Sequence, residues 1–78
     1  QKIRIYPNPT NGSLTINGIN KISKINIIDG LGNKLLKVEN NNNEPGARTL
    51  DLSNFAKGIY FIQIEQNEQI INYRIVLQ

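Results

Sequence analysis

The fold is decided by residues 59–66, IYFIQIEQ, together with residues 70–77, IINYRIVL. In the second segment apolar side chains alternate with polar ones, so that one face carries Ile71, Tyr73, Ile75 and Leu77. Alternation with a period of two indicates a half-buried β-strand. Asn67-Glu68 is a candidate tight turn between the two segments. The stretch therefore predicts a β-hairpin.

Five further runs with strand character precede this hairpin, at residues 2–6, 13–17, 22–28, 34–39 and 48–52. Fourteen of the 78 residues are isoleucine, whose stiff branched side chain favours a pleated sheet. We therefore predict one all-β domain over residues 1–78, a seven-stranded antiparallel Greek-key β-sandwich of immunoglobulin-like outline. An up-and-down barrel is the alternative, because periodicity does not distinguish the two architectures.

The connections are predicted from turn-forming residues. A connection is expected at residues 18–20, a glycine-rich hairpin turn at residues 29–33, and a flexible surface loop at the four asparagines 40–43. Residues 53–58 are expected to form a corner with Phe55 beneath it, including one short helical turn. Asp29 and its neighbours also resemble a calcium loop, but the required set of oxygen ligands and the distal glutamate are missing, which favours the hairpin.

Two blocks of turn residues stand at opposite ends of the chain. Pro7 and Pro9 end the first strand because proline cannot donate a ladder hydrogen bond, and Gly12 tolerates a positive φ. In the second block, Gly58 and Tyr60 lead into the hairpin. Neither block contains a catalytic group, so we expect recognition by another protein rather than chemistry.

The composition argues against most chemical functions. The sequence contains no cysteine and no histidine, which removes thiolate chemistry, the commonest general base and the commonest zinc ligands. The six carboxylates form no inward-facing pair in the predicted pattern. The basic residues, which give a net charge of +3, are scattered singly rather than clustered as nucleic acids require. We therefore expect no enzyme activity, no cofactor or metal, no small-molecule substrate and no nucleic-acid partner.

The aromatic side chains leave one alternative open. Tyr6, Phe55, Tyr60, Phe61 and Tyr73 could form a platform on which sugars stack, as in a carbohydrate-binding or adhesive accessory module. Because Tyr60 and Tyr73 alternate in step with core isoleucines, packing in the core is favoured. A third possibility is an immunoglobulin-like spacer with no recognition role.

Five motifs, taken in their order along the chain, resemble the motifs of one known protein family. They are Ile5-Tyr6-Pro7-Asn8-Pro9, Gly12-Ser13-Leu14-Thr15-Ile16, Ile25 to Asp29 with Gly32-Asn33-Lys34, Leu50-Asp51-Leu52-Ser53 and Lys57-Gly58-Ile59-Tyr60-Phe61-Ile62. Together they resemble the type A C-terminal sorting domain of the type IX (Por) secretion system. The resemblance covers residues 3–77.

The resemblance implies that the domain is a sorting signal for a cargo protein. It implies that an upstream cargo, absent from these 78 residues together with its export signal, enters the periplasm of a Gram-negative bacterium. An outer-membrane translocon and its shuttle proteins then read the domain, a surface sortase cleaves upstream of it, and the cargo reaches the cell surface or the medium. The domain is expected to be monomeric.

Specific residues carry the family's motifs. The first motif matches Tyr6, Pro7, Asn8, Pro9 and Gly12, and the later glycine–tyrosine motif matches Gly58 and Tyr60. The closing segment matches Tyr73, Arg74, Ile75, Val76, Leu77 and Gln78. This chain lacks the lysine-rich tail of many members, and the upstream cleavage site is expected to be missing or truncated. An alternating closing strand suits recognition by strand addition or by capture of a terminal carboxylate.

Overall fold

The computed structural model describes residues 3–19, 23–40, 46–66 and 68–78, without the side chains of residues 23 and 40. Seven β-strands lie in this part of the chain. They are β1 Arg4–Tyr6, β2 Ser13–Ile19, β3 Ser23–Ile28, β4 Lys34–Asn40, β5 Gly46–Asp51, β6 Gly58–Gln66 and β7 Gln69–Leu77. The prediction of an all-β chain is confirmed.

The strands form two antiparallel sheets. One sheet has the order β1-β2-β5, and the other has the order β4-β3-β6-β7. Since β2 pairs with β5 and β3 with β6, the strand order differs from that of an up-and-down barrel, which pairs each strand with the next one along the chain. The chain passes between the sheets after β2, β4 and β5, as in an immunoglobulin-like Greek-key sandwich.

The core lies between the two sheets and follows the alternation of the sequence. Twelve apolar side chains are buried there, namely Leu14, Ile16, Ile19, Ile25, Ile27, Leu50, Leu52, Tyr60, Ile62, Ile64, Ile75 and Leu77. Tyr73, Phe55, Leu36 and Val38 pack against this cluster and are partly buried, as predicted. Full burial of each isoleucine or leucine contributes about 1.5–3 kcal/mol.

Two local predictions need correction. The connection expected at residues 18–20 is partly strand, because β2 continues through a bulge at Gly18 (φ +89°) and buries Ile19. The corner covers residues 53–57 rather than 53–58, since Gly58 already belongs to β6, and it consists of turns and bends without a helical turn. Residue 20, residue 67 of the predicted tight turn and residues 41–43 of the asparagine run lie outside the described residues.

The hairpin between β3 and β4 uses its aspartate as a local acceptor. The Asp29 carboxylate accepts hydrogen bonds from the N–H groups of Leu31 and Asn33, both at 2.9 Å. These hydrogen bonds, with that from Asn33 first, lower the pKa of Asp29. The carboxylate is therefore engaged by the turn itself, in agreement with the hairpin interpretation.

Candidate functional site

Strand β7 lies at the edge of the four-stranded sheet, with β6 as its neighbour in that sheet. In an edge strand, alternate residues direct their backbone N–H and C=O groups away from the partner strand. In β7 the outward groups belong to the even-numbered residues, because Arg74, Val76 and Gln78 bond to the chain on the opposite side from β6. The outer edge of β7 is therefore where this sheet can accept another chain.

The side chain of Asn8 occupies one part of that edge. Its Nδ2 donates to the carbonyl oxygen of Arg74 at 3.0 Å, and its Oδ1 accepts from the N–H of Val76 at 3.1 Å. A carboxamide carries one acceptor and one donor group in the same spacing that a peptide unit presents. Asn8 thus pairs with β7 as a single residue of a neighbouring strand would.

The backbone of Thr10 continues the same pairing. Its N–H donates to the carbonyl of Val76 and its carbonyl accepts from the N–H of Gln78, both at 2.9 Å. These two bonds form an isolated parallel bridge between Thr10 and Leu77. We call the contacts of Asn8 and Thr10 with β7 the first-block clamp.

The clamp is anchored in the three-stranded sheet by Thr10 and Gly12. The buried hydroxyl of Thr10 donates to the carbonyl of Ser13 at 2.7 Å and accepts from the N–H of Gly12 at 3.1 Å. Gly12 adopts φ +147°, and its carbonyl accepts from the N–H of Leu52 at 2.7 Å. A Cβ at this position would lie 3.3 Å from the Cβ of Ser53, so the close approach favours glycine.

The second turn block lies opposite the end of β7. Gly58 pairs with Leu77 and Tyr60 pairs with Ile75 in the β6–β7 ladder. The Tyr60 hydroxyl donates to the carbonyl of Ala56, four residues upstream. A tyrosine near the start of this strand that bonds back to its own corner is a hallmark of immunoglobulin-like sandwiches. Both blocks therefore hold the C-terminal half of β7, one from each side.

The other half of the β7 edge, at residues 70–74, is not covered by the first-block clamp. Within the described part of the chain, the outward backbone groups of Ile70 and Asn72 and the N–H of Arg74 have no hydrogen-bond partner. The side chains of Asn72 and Arg74 are exposed, and that of Ile70 is 60% exposed. The edge thus presents an extended, ordered backbone that could pair with an added strand.

The predicted site residues do not all meet. The structure brings Asn8 and Gly12 of the first motif, the pair Gly58 and Tyr60, and the segment from Tyr73 to Gln78 to one region. Tyr6 lies in β1 opposite Thr15 and is 46% exposed, and Pro7 and Pro9 are exposed. Thr10 was missed by the sequence reasoning, although a threonine directly before Asn-Gly is a signal for a side chain that bonds its own turn.

The aromatic side chains form no common platform. Tyr60 is buried and its ring lies 6.0 Å from that of Phe55, while Tyr73 packs against the core. The prediction that these residues belong to the core is confirmed, and Tyr6 and Phe61 remain exposed on different sheets. In the described residues no group of three or more acidic, histidine or cysteine side chains is placed to hold a metal ion.

No helix in the described residues is long and apolar enough to span a membrane. A comparison with curated proteins found no match. The model of one protein family, described as a secretion system C-terminal sorting domain, matches residues 4–78. This match covers both turn blocks and the whole of β7, and it does not favour the carbohydrate-binding alternative. The chain therefore belongs to the family of C-terminal sorting domains, the sorting signals of type IX secretion.

Proposed function

We propose that the type IX translocon reads this domain by adding a strand to the open edge of β7 at residues 70–74. The observation that carries the proposal is the contrast between the two halves of that edge. Asn8 and Thr10 bond to the outward backbone groups of β7 from the carbonyl of Arg74 to the N–H of Gln78. The outward backbone groups of β7 that precede this carbonyl have no hydrogen-bond partner within the described residues. The clamp holds the strand extended, which lowers the entropy lost when a partner strand pairs with it.

The other edges of the sandwich suit strand addition less well. Strand β4, at the opposite edge of the same sheet, carries two exposed lysines, Lys34 and Lys37, and pairs with β3 through a bulge. Charged side chains and bulges are the features that protect edge strands from pairing. In the other sheet, the edge strand β1 has three residues, and the edge strand β5 pairs with β2 through a bulge. The edge of β7 combines length, regularity and exposed backbone.

The sorting role also implies a route across the periplasm and the outer membrane. The domain works as a monomer without catalytic activity, passes through the periplasm with its cargo, and is recognised by translocon and shuttle proteins at the outer membrane. A surface sortase then cleaves upstream of the domain, and the cargo is left at the cell surface or in the medium.

A proline at position 72 tests edge recognition directly. Because the N–H of Asn72 points away from β6, Asn72→Pro removes an outward donor and keeps the inner ladder intact. With a reporter fused upstream of residues 1–78 in a type IX host, we expect surface delivery to fall about tenfold, the equivalent of about 1.4 kcal/mol. Asn72→Ala is the matched control and should be delivered like the original sequence.

The outcomes separate the mechanism from the sorting role. Delivery of the Asn72→Pro reporter at the original level would refute strand addition at this edge, whereas failure of the unaltered reporter would refute sorting. Deletion of residues 73–78 is a weaker test, since it removes Ile75 and Leu77 from the core and thereby unfolds the domain. A spacer is distinguished by placing a folded domain after Gln78, which should abolish delivery only if the domain is a terminal signal.

A further inference from the structure

The solvent face of the four-stranded sheet is organised in rows that cross all four strands. Since Ile27, Ile62 and Ile75 face the core, their neighbours along each strand project from the opposite, outer face of the sheet, where Asn26 is nevertheless buried. The register places one outer row at Lys34, Ile28, Phe61 and Arg74. Further along the strands follow a row at Lys37, Asn26, Gln63 and Asn72 and a row at Glu39, Lys24, Glu65 and Ile70.

The first of these rows belongs to an exposed apolar patch. Phe61 is 36% exposed, Ile59 is 46% exposed, and Leu35 at the β4 bulge is 39% exposed. Ile28 is the cross-strand neighbour of Phe61, and Val76 is that of Ile59; both are half-buried. We call Ile28, Leu35, Ile59, Phe61 and Val76 the outer apolar patch.

The patch departs from the pattern of the rest of the face. An antiparallel sheet that faces water on one side carries polar residues there, as the two other rows largely do. In the row from Lys37 to Asn72, the Nδ2 of Asn26 donates a hydrogen bond to Gln63 at 3.2 Å. The same Nδ2 donates at 3.2 Å to Glu65 in the next row. A contiguous apolar group beside such a polar surface is typical of a binding site for another protein.

Two cationic side chains flank the patch, and neither is paired with a carboxylate of the described residues. Lys34 lies at one end of the Ile28–Phe61 row and Arg74 at the other, and both are exposed. Within the residues that the structure describes, neither side chain forms an ion pair. The nearby carboxylate of Asp29 accepts from its own hairpin amides. Both cations are therefore available to pair with carboxylates of another molecule.

We infer that the outer apolar patch docks a folded protein surface that presents an apolar side chain between carboxylates. Phe61 is the centre of the contact, and Lys34 and Arg74 pair with the carboxylates at its two sides. An aromatic residue with an arginine at its rim is the composition typical of protein interfaces. The inference rests on the sorting role of the domain and adds a second contact, on the sheet face rather than on the edge of β7.

Two matched pairs of variants test the patch in the reporter assay. Phe61→Ser is compared with Leu31→Ser, since Leu31 lies in the β3–β4 hairpin and is 89% exposed. Arg74→Glu is compared with Arg4→Glu, which changes the net charge equally from the exposed face of β1. We expect Phe61→Ser and Arg74→Glu each to reduce surface delivery about tenfold or more, as central interface residues do, while the two controls are delivered normally.

The urea midpoint of each isolated variant shows whether a loss of delivery reflects unfolding. Loss of delivery with an unchanged midpoint supports docking, and normal delivery of both patch variants overturns it even if the unaltered domain is sorted. Binding to phosphatidylglycerol vesicles that depends on Phe61 would overturn the assignment to a protein partner. Self-association that is lost in Phe61→Ser, measured by sedimentation equilibrium, would overturn it as well. Delivery that fails for the unaltered domain would instead refute the proposed function.

Discussion

Replacement of Asn8 by alanine should weaken the contact between β7 and the first turn block. The side chain makes two hydrogen bonds to β7, at 3.0 Å with the carbonyl of Arg74 and at 3.1 Å with the N–H of Val76. A typical hydrogen bond contributes about 0.5–1.5 kcal/mol net, and exposed ones lie in the lower half of that range. We expect Asn8→Ala to lower the free energy of unfolding by about 1–2 kcal/mol.

The loss should be visible both globally and at one amide. For a domain of this size, each 1 kcal/mol shifts the melting temperature by about 4–8 °C. Urea denaturation followed by circular dichroism measures the global effect. Amide hydrogen exchange followed by NMR measures the local one, where the N–H of Val76 should exchange about tenfold faster than in the original domain. The N–H of Ile75 faces β6 and should be accelerated less.

Two further variants control this prediction. Asn11→Ala lies in the same turn block and removes an exposed side chain without a hydrogen bond among the described residues, so stability should change by less than about 0.5 kcal/mol. Asn8→Asp keeps the acceptor for Val76 but places a carboxylate oxygen against the carbonyl oxygen of Arg74, so at neutral pH it should lower stability at least as much as Asn8→Ala. Unchanged exchange at Val76 in Asn8→Ala would refute the clamp.

Three other changes probe single features of the sandwich. Tyr60→Phe removes the hydrogen bond to the carbonyl of Ala56 and should cost about 1 kcal/mol in urea denaturation; no loss would contradict a structural role for the hydroxyl. Asn26→Val removes a buried Oδ1 that has no hydrogen-bond partner in the described part of the chain, but it also removes the two hydrogen bonds from Nδ2 to Gln63 and Glu65. Because these two effects oppose each other, the melting temperature should shift by less than about 4 °C, and a larger fall would contradict a cost for the unpaired oxygen. Because the pKa of Asp29 is lowered in the folded domain, the contribution of its carboxylate to stability is complete above about pH 5 and is lost as the pH falls through that pKa. In Asp29→Asn, the free energy of unfolding should therefore fall less steeply between about pH 5 and about pH 2. An unchanged pH dependence would contradict the hairpin hydrogen bonds.

Much of the fold could be predicted from local patterns. Alternation in residues 70–77 identified the strand and the face that it buries, because side chains in a strand point to opposite sides in turn. Turn chemistry placed the hairpin at Asp29 and the block at Pro7 to Gly12 for similarly local reasons. The predictions failed where tertiary contacts override local preference. Gly18 continues in β2 instead of ending it, since the bulge allows Ile19 to reach the core.

Local sequence patterns were sufficient to predict the strands, their buried faces and the family resemblance, and the composition showed that histidine and cysteine are absent. The pairing of Asn8 with Arg74 and Val76, which lie 66 and 68 residues further along the chain, became visible in the folded domain alone. The same holds for the row from Lys34 to Arg74, whose members come from four strands. Strand patterns repeat every two residues and can be read locally, whereas sheet order and register depend on how all seven strands share one core.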